Sequence, residues 1–518
     1  MTLAGVFLFG SAVALVPAPQ SLVVTGGESA TGAVVVCATD PAIPPEGYRL
    51  SVGRDRIDIV SSDEAGRLYA RVTLDQLRTE GSGYACCRIE DAPAYPWRGF
   101  LVDVSRHFLL KDSILDLLDV MVLHKFNVLH WHLTDDQAWR IPLARYPRLM
   151  DYATVRPYNP RGQYERWHRV KQWVKDPPGL GYGPYAYTRR EIDEVLAYAK
   201  ARHVKVVPEV NFPGHMRAVL AAYPEFGCRA DVLATNRVPR ATWGVEEDIL
   251  CIGNDRTVQF VMDLLDEICE MFPDSDVIHI GGEECRTKRW KACPRCQARM
   301  RAEGLGDESE LQTWLVKKAV ARLAAKGRKA IGWAEIIRNP GLDRAHTMVM
   351  PWVCPDPGLK KIGMFCPTFE EIADLGFDIV AGSHKHVYWG FPQSRTDEYD
   401  PQPDQGPDYF QTSLEDVYSF DMTCGAPRPG KGRIVGAEAY AWGETCWNFF
   451  DYMYKSFPRS CAVAELCWTA PKTRDYKDFY ARMLVHARRL RAMKIPCAEV
   501  PAPGVRRVTP SHANTEVD

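Results

Sequence analysis

The stretch Val277 to Glu284, VIHIGGEE, begins as a short apolar strand, turns on two glycines and ends in two adjacent carboxylates. Helix-period runs flank it, DRTVQFVMDLLDEICEMF on one side and ELQTWLVKKAVARLAAKG on the other. A strand without polar alternation, set between helices, belongs to a parallel sheet covered on both faces. The same pattern extends outward in both directions. GFLVDVS, FNVLHWHLTDD and VKVVPEVN read as strands before it. KAIGWAEI, TMVMPWV, FDIVAGSH and RIVGAEAYAWGE read as strands after it. DSILDLLDVMVLHK and TRREIDEVLAYAKARH supply further crossover helices, and DYKDFYARMLVHARRLRAMK a final one. About eight such strands predict an α/β fold, a closed (β/α)8 TIM barrel, over residues 96–495.

Ahead of the barrel, residues 15–95 read as a small α+β domain. QSLVVTGG, AVVVCATD and YRLSVGRDRIDIVSSD are strand-like. DEAGRLYARVTLDQLRT has helical spacing, with Ala65, Leu68, Ala70, Val72, Leu74 and Leu77 on its core face. EDAPAYPWRG reads as the linker. Residues 496–518 form a proline-rich tail, expected to fray. Residues 1–14 are signal-like: Leu3 to Leu15 is apolar and Ala12-Val13-Ala14 fits a small-residue cleavage site. No Lys or Arg precedes them, and a first strand of the fold is the other reading. Periplasmic or extracellular export and a cytoplasmic location therefore both stay open.

The 518 residues carry 64 basic and 66 acidic side chains. That balance gives no electrostatic footprint for nucleic acid. No apolar run reaches the ~18 residues of a membrane span. Sixteen cysteines in so long a chain do not make a disulfide scaffold. Cys293 and Cys296 form a CxxC with Cys285 nearby. A structural zinc needs four ligands, and no second CxxC exists, so packed thiols or one local disulfide are expected.

Barrel active sites lie at the C-terminal ends of the strands. Polar and aromatic residues collect there: Asp103 with Arg106, His130 and His132 with Asp135 and Asp136, Glu209, Asn211 and His215, His279 with Glu283 and Glu284. Later strands end in Trp333 with Glu335, Trp352, Tyr388, and Trp442 with Glu444. Each alone is ordinary. Together they describe a sugar site, where aromatic faces stack on a pyranose and carboxylates and arginine hold its hydroxyls.

RGFLVDVSRHFL, NVLHWHLTDDQAWR, PEVNFPGH, VIHIGGEE, GWAEI and AYAWGE occur in that order. Together they closely resemble the family 20 glycoside hydrolases, the β-N-acetylhexosaminidases, over roughly residues 15–470, and LVPAPQSLVV resembles the start of that family's small N-terminal domain. The resemblance implies a retaining, substrate-assisted mechanism, an exception among glycosidases. The substrate's own 2-acetamido oxygen attacks C1 and forms an oxazolinium ion. Removal of terminal β-linked GlcNAc or GalNAc from a glycan is implied, with no cofactor and no catalytic metal. Glu284 matches the general acid, expected to be kept protonated by burial and by its neighbour. Glu283 takes the position that orients the acetamido group. Arg106 matches the arginine on the C3 and C4 hydroxyls. Asp135 and His215 match a polar pair beside the acid, and Asp136 reads as a helix cap. Trp333, Trp352 and Trp442 match the walls of the sugar pocket, Tyr388 the donor to the acetamido oxygen, and Glu444 the carboxylate on O4 or O6.

Two positions depart from the family pattern. Glu283 replaces an aspartate, adding about 1.5 Å of reach, and a ~1 Å misplacement can cost ~10²-fold. Gly390 stands where the family has Asp or Asn two residues after the tyrosine, which suggests a pocket open to a 6-sulfated GlcNAc, with Lys385 and His386 nearby. Two rival readings remain at this stage: a catalytically silent carbohydrate-binding barrel, motivated by Glu283, and a metallohydrolase built on His130, His132, His215 and His279.

Overall fold

The structure is a computed structural model describing residues 13–79, 81–157, 181–353, 364–393, 411–424 and 429–500. Most of the signal-like segment and residues 501–518 of the tail lie outside the described residues. A small N-terminal sheet is built from β1 (Ser21–Glu28), β2 (Val34–Thr39), β3 (Tyr48–Val52), β4 (Arg56–Ser61) and β5 (Ala85–Asp91), in the order β1-β5-β3-β4-β2. Period-2 alternation turns Tyr48, Leu50, Val52, Ile57 and Ile59 inward. Helix α1 (Glu64–Gln76) packs on β3 and β4, capped by Asp63, whose carboxylate accepts from the Gly66 N–H. Of its expected core positions, Ala70, Val72, Leu74 and Leu77 are buried, Ala65 and Leu68 only partly, and Tyr69 joins them. Strand β5 takes the first two residues of the expected linker, so the connection shrinks to residues 92–96.

The eight strands of the second sheet close on themselves. They are β6 (Trp97–Asp103), β7 (Val128–His132), β8 (Lys205–Glu209), β9 (Val277–His279), β10 (Lys329–Trp333), β11 (Thr347–Met350), β12 (Asp378–Ala381) and β13 (Ile434–Ala441). Each is parallel to the next, and β13 returns to β6. Every residue of β6, β7, β9 and β13 is buried, as the unbroken apolar runs require. The register sets Asp103, His132, Glu209 and His279 at one level of the barrel wall.

Outside the strands lie α2 (Lys111–Leu123), α3 (Arg189–Lys200), α4 (Asp255–Met271), α5 (Pro294–Glu303), α6 (Glu308–Ala324), α7 (Phe369–Asp374), α8 (Leu414–Tyr418), α9 (Arg459–Trp468) and α10 (Tyr476–Ala492). Local chemistry fixes where several begin. Thr188 and Glu191 form a capping box at α3, Asn254 caps α4 and Asp307 caps α6. The β10–β11 crossover has only two short 3-10 turns, Ala334–Ile337 and Arg344–His346.

The two units share a buried polar joint. Lys125, after α2, donates to Asp91 Oδ2 and to the Tyr48 hydroxyl, both at 2.9 Å, and Trp468 Nε1 donates to Asp91 Oδ1 at 2.8 Å. The beginning of the tail is tied down as well: Cys497 and Ala498 are buried, and the Ala498 N–H bonds the Phe457 carbonyl at 3.0 Å. Residues 13–16 are not a strand, yet Ala14, Leu15 and Val16 are buried, with Gln76 bonding both backbone groups of Val16.

Candidate active site

The floor of the barrel mouth is a set of closed ion pairs. Glu209, at the end of β8, is fully buried. Its Oε2 meets His132 Nδ1 in a short contact and His130 Nε2 at 3.0 Å; its Oε1 meets His279 Nδ1 at 3.1 Å and accepts from Trp333 Nε1 at 2.9 Å. Glu438 adds a second carboxylate, 2.6 Å from His130 Nδ1. Burial opposes every charge here. The carboxylates still raise His130 to about 9 and His132 to about 10, and the histidines hold Glu209 well below the usual carboxylate range, whereas at His279 burial outweighs Glu209 and lowers its value.

Arg106 is the next layer. It is buried, with NH1 on Asp103 Oδ2 (3.1 Å), NH2 on Asp135 Oδ2 (2.9 Å) and Nε on Gln137 Oε1 (3.0 Å). Its guanidinium stands over the Trp442 ring at 5.3 Å and 3.9 Å from Glu444 Oε1. Asp135 also meets His132 Nε2 at 3.0 Å and His215 Nδ1 at 3.2 Å. Burial again opposes ionisation, but Arg106 and His215 hold Asp135 well below its ordinary value. Asp136 accepts from the N–H of Arg217, the first residue of a short helix, as a cap does.

The rim is different. The chain leaves β9 at His279 and turns on Gly281 (φ 65°). A Cβ at Gly281 would lie 1.9 Å from Asn211 Oδ1, so only glycine fits. Asn211 fixes the loop by accepting from the Gly282 N–H (3.0 Å) and donating to Glu283 Oε1 (2.6 Å). Glu283 is 7% exposed, and its Oε2 is buried without a hydrogen-bond partner among the described residues. Burial raises it to about 8, with Glu209 adding to the rise and His215 opposing it. Glu284 adopts a left-handed backbone (φ 50°), as does His215 (φ 51°). Such strain persists only where the surroundings impose it. The turn sends the Glu284 side chain, 31% exposed, to within 3.4 Å of His215 Nε2. The burial expected for Glu284 therefore falls mainly on Glu283.

All ten residues anticipated from sequence stand at this mouth. Trp333 is only 1% exposed and belongs to the floor. Trp442 packs 5.8 Å from it and 6.1 Å from Tyr388. Trp352 is half-buried and donates to Glu335 Oε1 at 3.1 Å. Glu444 is buried in the turn after β13. Gly390 does not open a hollow at its α-carbon: a Cβ there would lie 2.5 Å from Tyr388 Cε1, so the tyrosine ring fills that space. Four residues gain importance beyond their sequence reading: Glu209, Asn211, Glu438 and Glu335. Burial lifts Glu335 to about 7, with Glu284 contributing. Glu209, Asn211 and Glu335 were visible as strand-end polar residues; Glu438, inside β13, had no such signal. His130, Glu209 and His279 converge closely enough to hold a metal ion, as do Asp135, Asp136 and His215. In both sets the ligand atoms are already engaged with one another.

Residues 95–471 match glycosyl hydrolase family 20, catalytic domain, and residues 12–92 match glycosyl hydrolase family 20, domain 2. The chain is 34% identical over 484 residues to a beta-hexosaminidase of Porphyromonas gingivalis, an alignment covering 90% of this chain and 56% of that protein. The chain thus spans little more than half the length of that relative. It is 31% identical over 454 residues to a beta-hexosaminidase of Akkermansia muciniphila, covering 86% of this chain and 84% of the relative. Among solved structures, a beta-N-acetylhexosaminidase superposes with a TM-score of 0.81 at 28% identity, covering 95% of this chain and 99% of the other. The beta-N-acetylhexosaminidase of Bacteroides fragilis superposes with a TM-score of 0.75 at 26% identity, covering 94% and 97%. The matched span runs from β6 through α9 and takes in the whole mouth just described; the chain belongs to glycosyl hydrolase family 20.

Proposed function

We propose that the protein removes terminal β-linked N-acetylhexosamine from glycans by a retaining, substrate-assisted mechanism. The observation that carries the reading is the pair of unlike carboxyls on one loop. Glu283 is buried with one oxygen unpartnered among the described residues, and Glu284 is partly exposed beside His215. Adjacent carboxyls in unlike surroundings are suited to separate roles.

The sugar rests with its apolar faces on Trp442 and Trp352, while Arg106 and Glu444 bind its hydroxyls. Glu284 protonates the leaving oxygen as the acetamido oxygen attacks C1, and Tyr388 donates to that oxygen. Glu283 accepts the acetamido N–H on its free oxygen. Its neutral form accepts this bond too, and the positive charge that develops on the oxazolinium favours its ionised form. Glu284, now a carboxylate, takes a proton from the water that opens the ring. His215, held cationic by Asp135 despite its burial, steadies Glu284 in both forms. The extra methylene of Glu283 is accommodated by its bond to Asn211, which draws the carboxyl back into the loop.

Glu284→Gln tests the assignment. Turnover of an aryl N-acetyl-β-glucosaminide falls by about 10²–10⁴ while the thermal midpoint is kept. Unchanged turnover removes Glu284 from the mechanism. Binding of a substrate analogue without turnover by the unmutated protein would favour the silent carbohydrate-binding barrel.

A further inference from the structure

Behind the rim, two loops that share no motif bring four cysteines together. Cys228 and Cys251 lie on the long connection between β8 and α4; Cys293 and Cys296 lie at the start of α5, beyond the Glu283–Glu284 loop. Cys251 and Cys296 are 0% exposed, Cys293 is 4% exposed and Cys228 is half-buried. The sulfurs are 3.7 Å apart for Cys251–Cys293, 3.7 Å for Cys251–Cys296 and 3.8 Å for Cys228–Cys296. All four lie within 4.8 Å of one another, and all four are free thiols. A disulfide requires about 2.05 Å between sulfurs. A tetrahedron with metal–sulfur bonds of ~2.3 Å has edges of about 3.8 Å. Three of the six sulfur–sulfur separations match the second spacing, and the others lie within 4.8 Å.

We propose that Cys228, Cys251, Cys293 and Cys296 bind one structural zinc ion as a tetrathiolate. The surroundings suit the charge such a centre carries. The Gly253 N–H bonds the Cys296 sulfur, and the Arg295 guanidinium lies against the Cys293 sulfur while donating to the Gly227 carbonyl at 3.0 Å. Gly253 is required for this approach, since a Cβ there would lie 2.1 Å from the Arg295 carbonyl carbon. Cys293 precedes Pro294 and Cys296 sits in the first turn of α5, where exposed N–H groups favour thiolate. Four sulfurs and no open position make a closed, structural site with no room for a water nucleophile. Its role is to join two loops of the barrel mouth. The first carries His215, and the second continues from Glu283 and Glu284. They touch again where Gly214 packs against the Glu283 carbonyl and Cys285. Trp290, fully buried between the same segments, donates to the Leu250 carbonyl at 2.8 Å. The sequence holds no second CxxC because Cys228 and Cys251 stand singly in the chain.

The test is metal analysis of the full chain, produced in zinc-supplemented medium and desalted. About one zinc per chain is expected in the unmutated protein and less than about a tenth in the Cys293→Ser/Cys296→Ser variant. Because that variant can misfold, a second measurement uses the unmutated chain. After exchange of its metal for cobalt, the spectrum should show strong tetrahedral d–d bands and thiolate-to-cobalt charge transfer. The proposal is overturned by a metal-free protein with four freely titrating thiols, by a disulfide among the four, by stoichiometric iron in place of zinc, or by full zinc retention in the double variant.

Discussion

Two layers of one barrel mouth treat their carboxyls in opposite ways. On the floor, Glu209 and Asp135 are fully buried yet held ionised, because histidines and Arg106 surround them. On the rim, burial raises Glu283 to about 8 and Glu335 to about 7, and His215, 3.9 Å from Glu283 Oε1, offsets only part of the rise at Glu283. Burial alone acts in the same direction on both layers. Whether a cation completes the shell decides the outcome. The floor is therefore a scaffold whose charges are spent on one another, and the rim keeps a free oxygen for a ligand.

Substitutions on the two layers should separate rate from stability. The largest effect belongs to the rim: Glu284→Gln lowers kcat by about 10²–10⁴ with little change in stability, read by steady-state kinetics alongside a thermal melt. On the floor, Glu209→Gln leaves buried imidazolium charges uncompensated and lowers stability by about 3–5 kcal/mol in denaturant unfolding. If it lowered only kcat, the floor would not be a scaffold.

Smaller effects sharpen the contrast. The folded-state value of Glu283, about 8, lies above its ordinary 4.5. Its buried neutral form thus contributes stability that is complete below pH about 4.5 and is lost as pH rises toward 8. Between pH about 4.5 and 7 that loss is on the order of 3 kcal/mol. Glu283→Gln removes this slope, whereas Asp135, whose value is depressed, makes stability fall toward acid pH and is untouched by the change. Last, Glu283→Asp withdraws the carboxyl from Asn211 and lowers kcat by up to about 10²-fold. A gain in kcat would mean that the longer side chain is a handicap in this loop.

Most of the barrel was legible because its strands are apolar runs and several of its crossovers helix-period runs, the β10–β11 connection with its two short 3-10 turns being an exception. The strand ends were legible too, since polar residues interrupt those runs where the barrel opens. What escaped depends on how loops fold back. That Glu283 is the buried member of its pair follows from the left-handed turn at Gly281 and Glu284 and from Asn211, a residue of another strand's end. Glu438 supports His130 from inside β13, where an acidic residue carried no sequence signal. The space beside the Gly390 α-carbon is taken by the Tyr388 ring, a packing fact that two residues of sequence do not contain. Cys228 and Cys251 reach Cys293 and Cys296 through a long loop with no periodicity.

The central claim is that the substrate supplies its own nucleophile while Glu283 and Glu284 divide the remaining work. The most direct measurement compares turnover of an aryl N-acetyl-β-glucosaminide with that of the matching aryl β-glucoside, which lacks the acetamido group. The account predicts ready hydrolysis of the first and loss of at least about 10³-fold on the second, since an internal nucleophile of high effective molarity is removed. Comparable turnover of the two would contradict it and would assign a nucleophile to the protein.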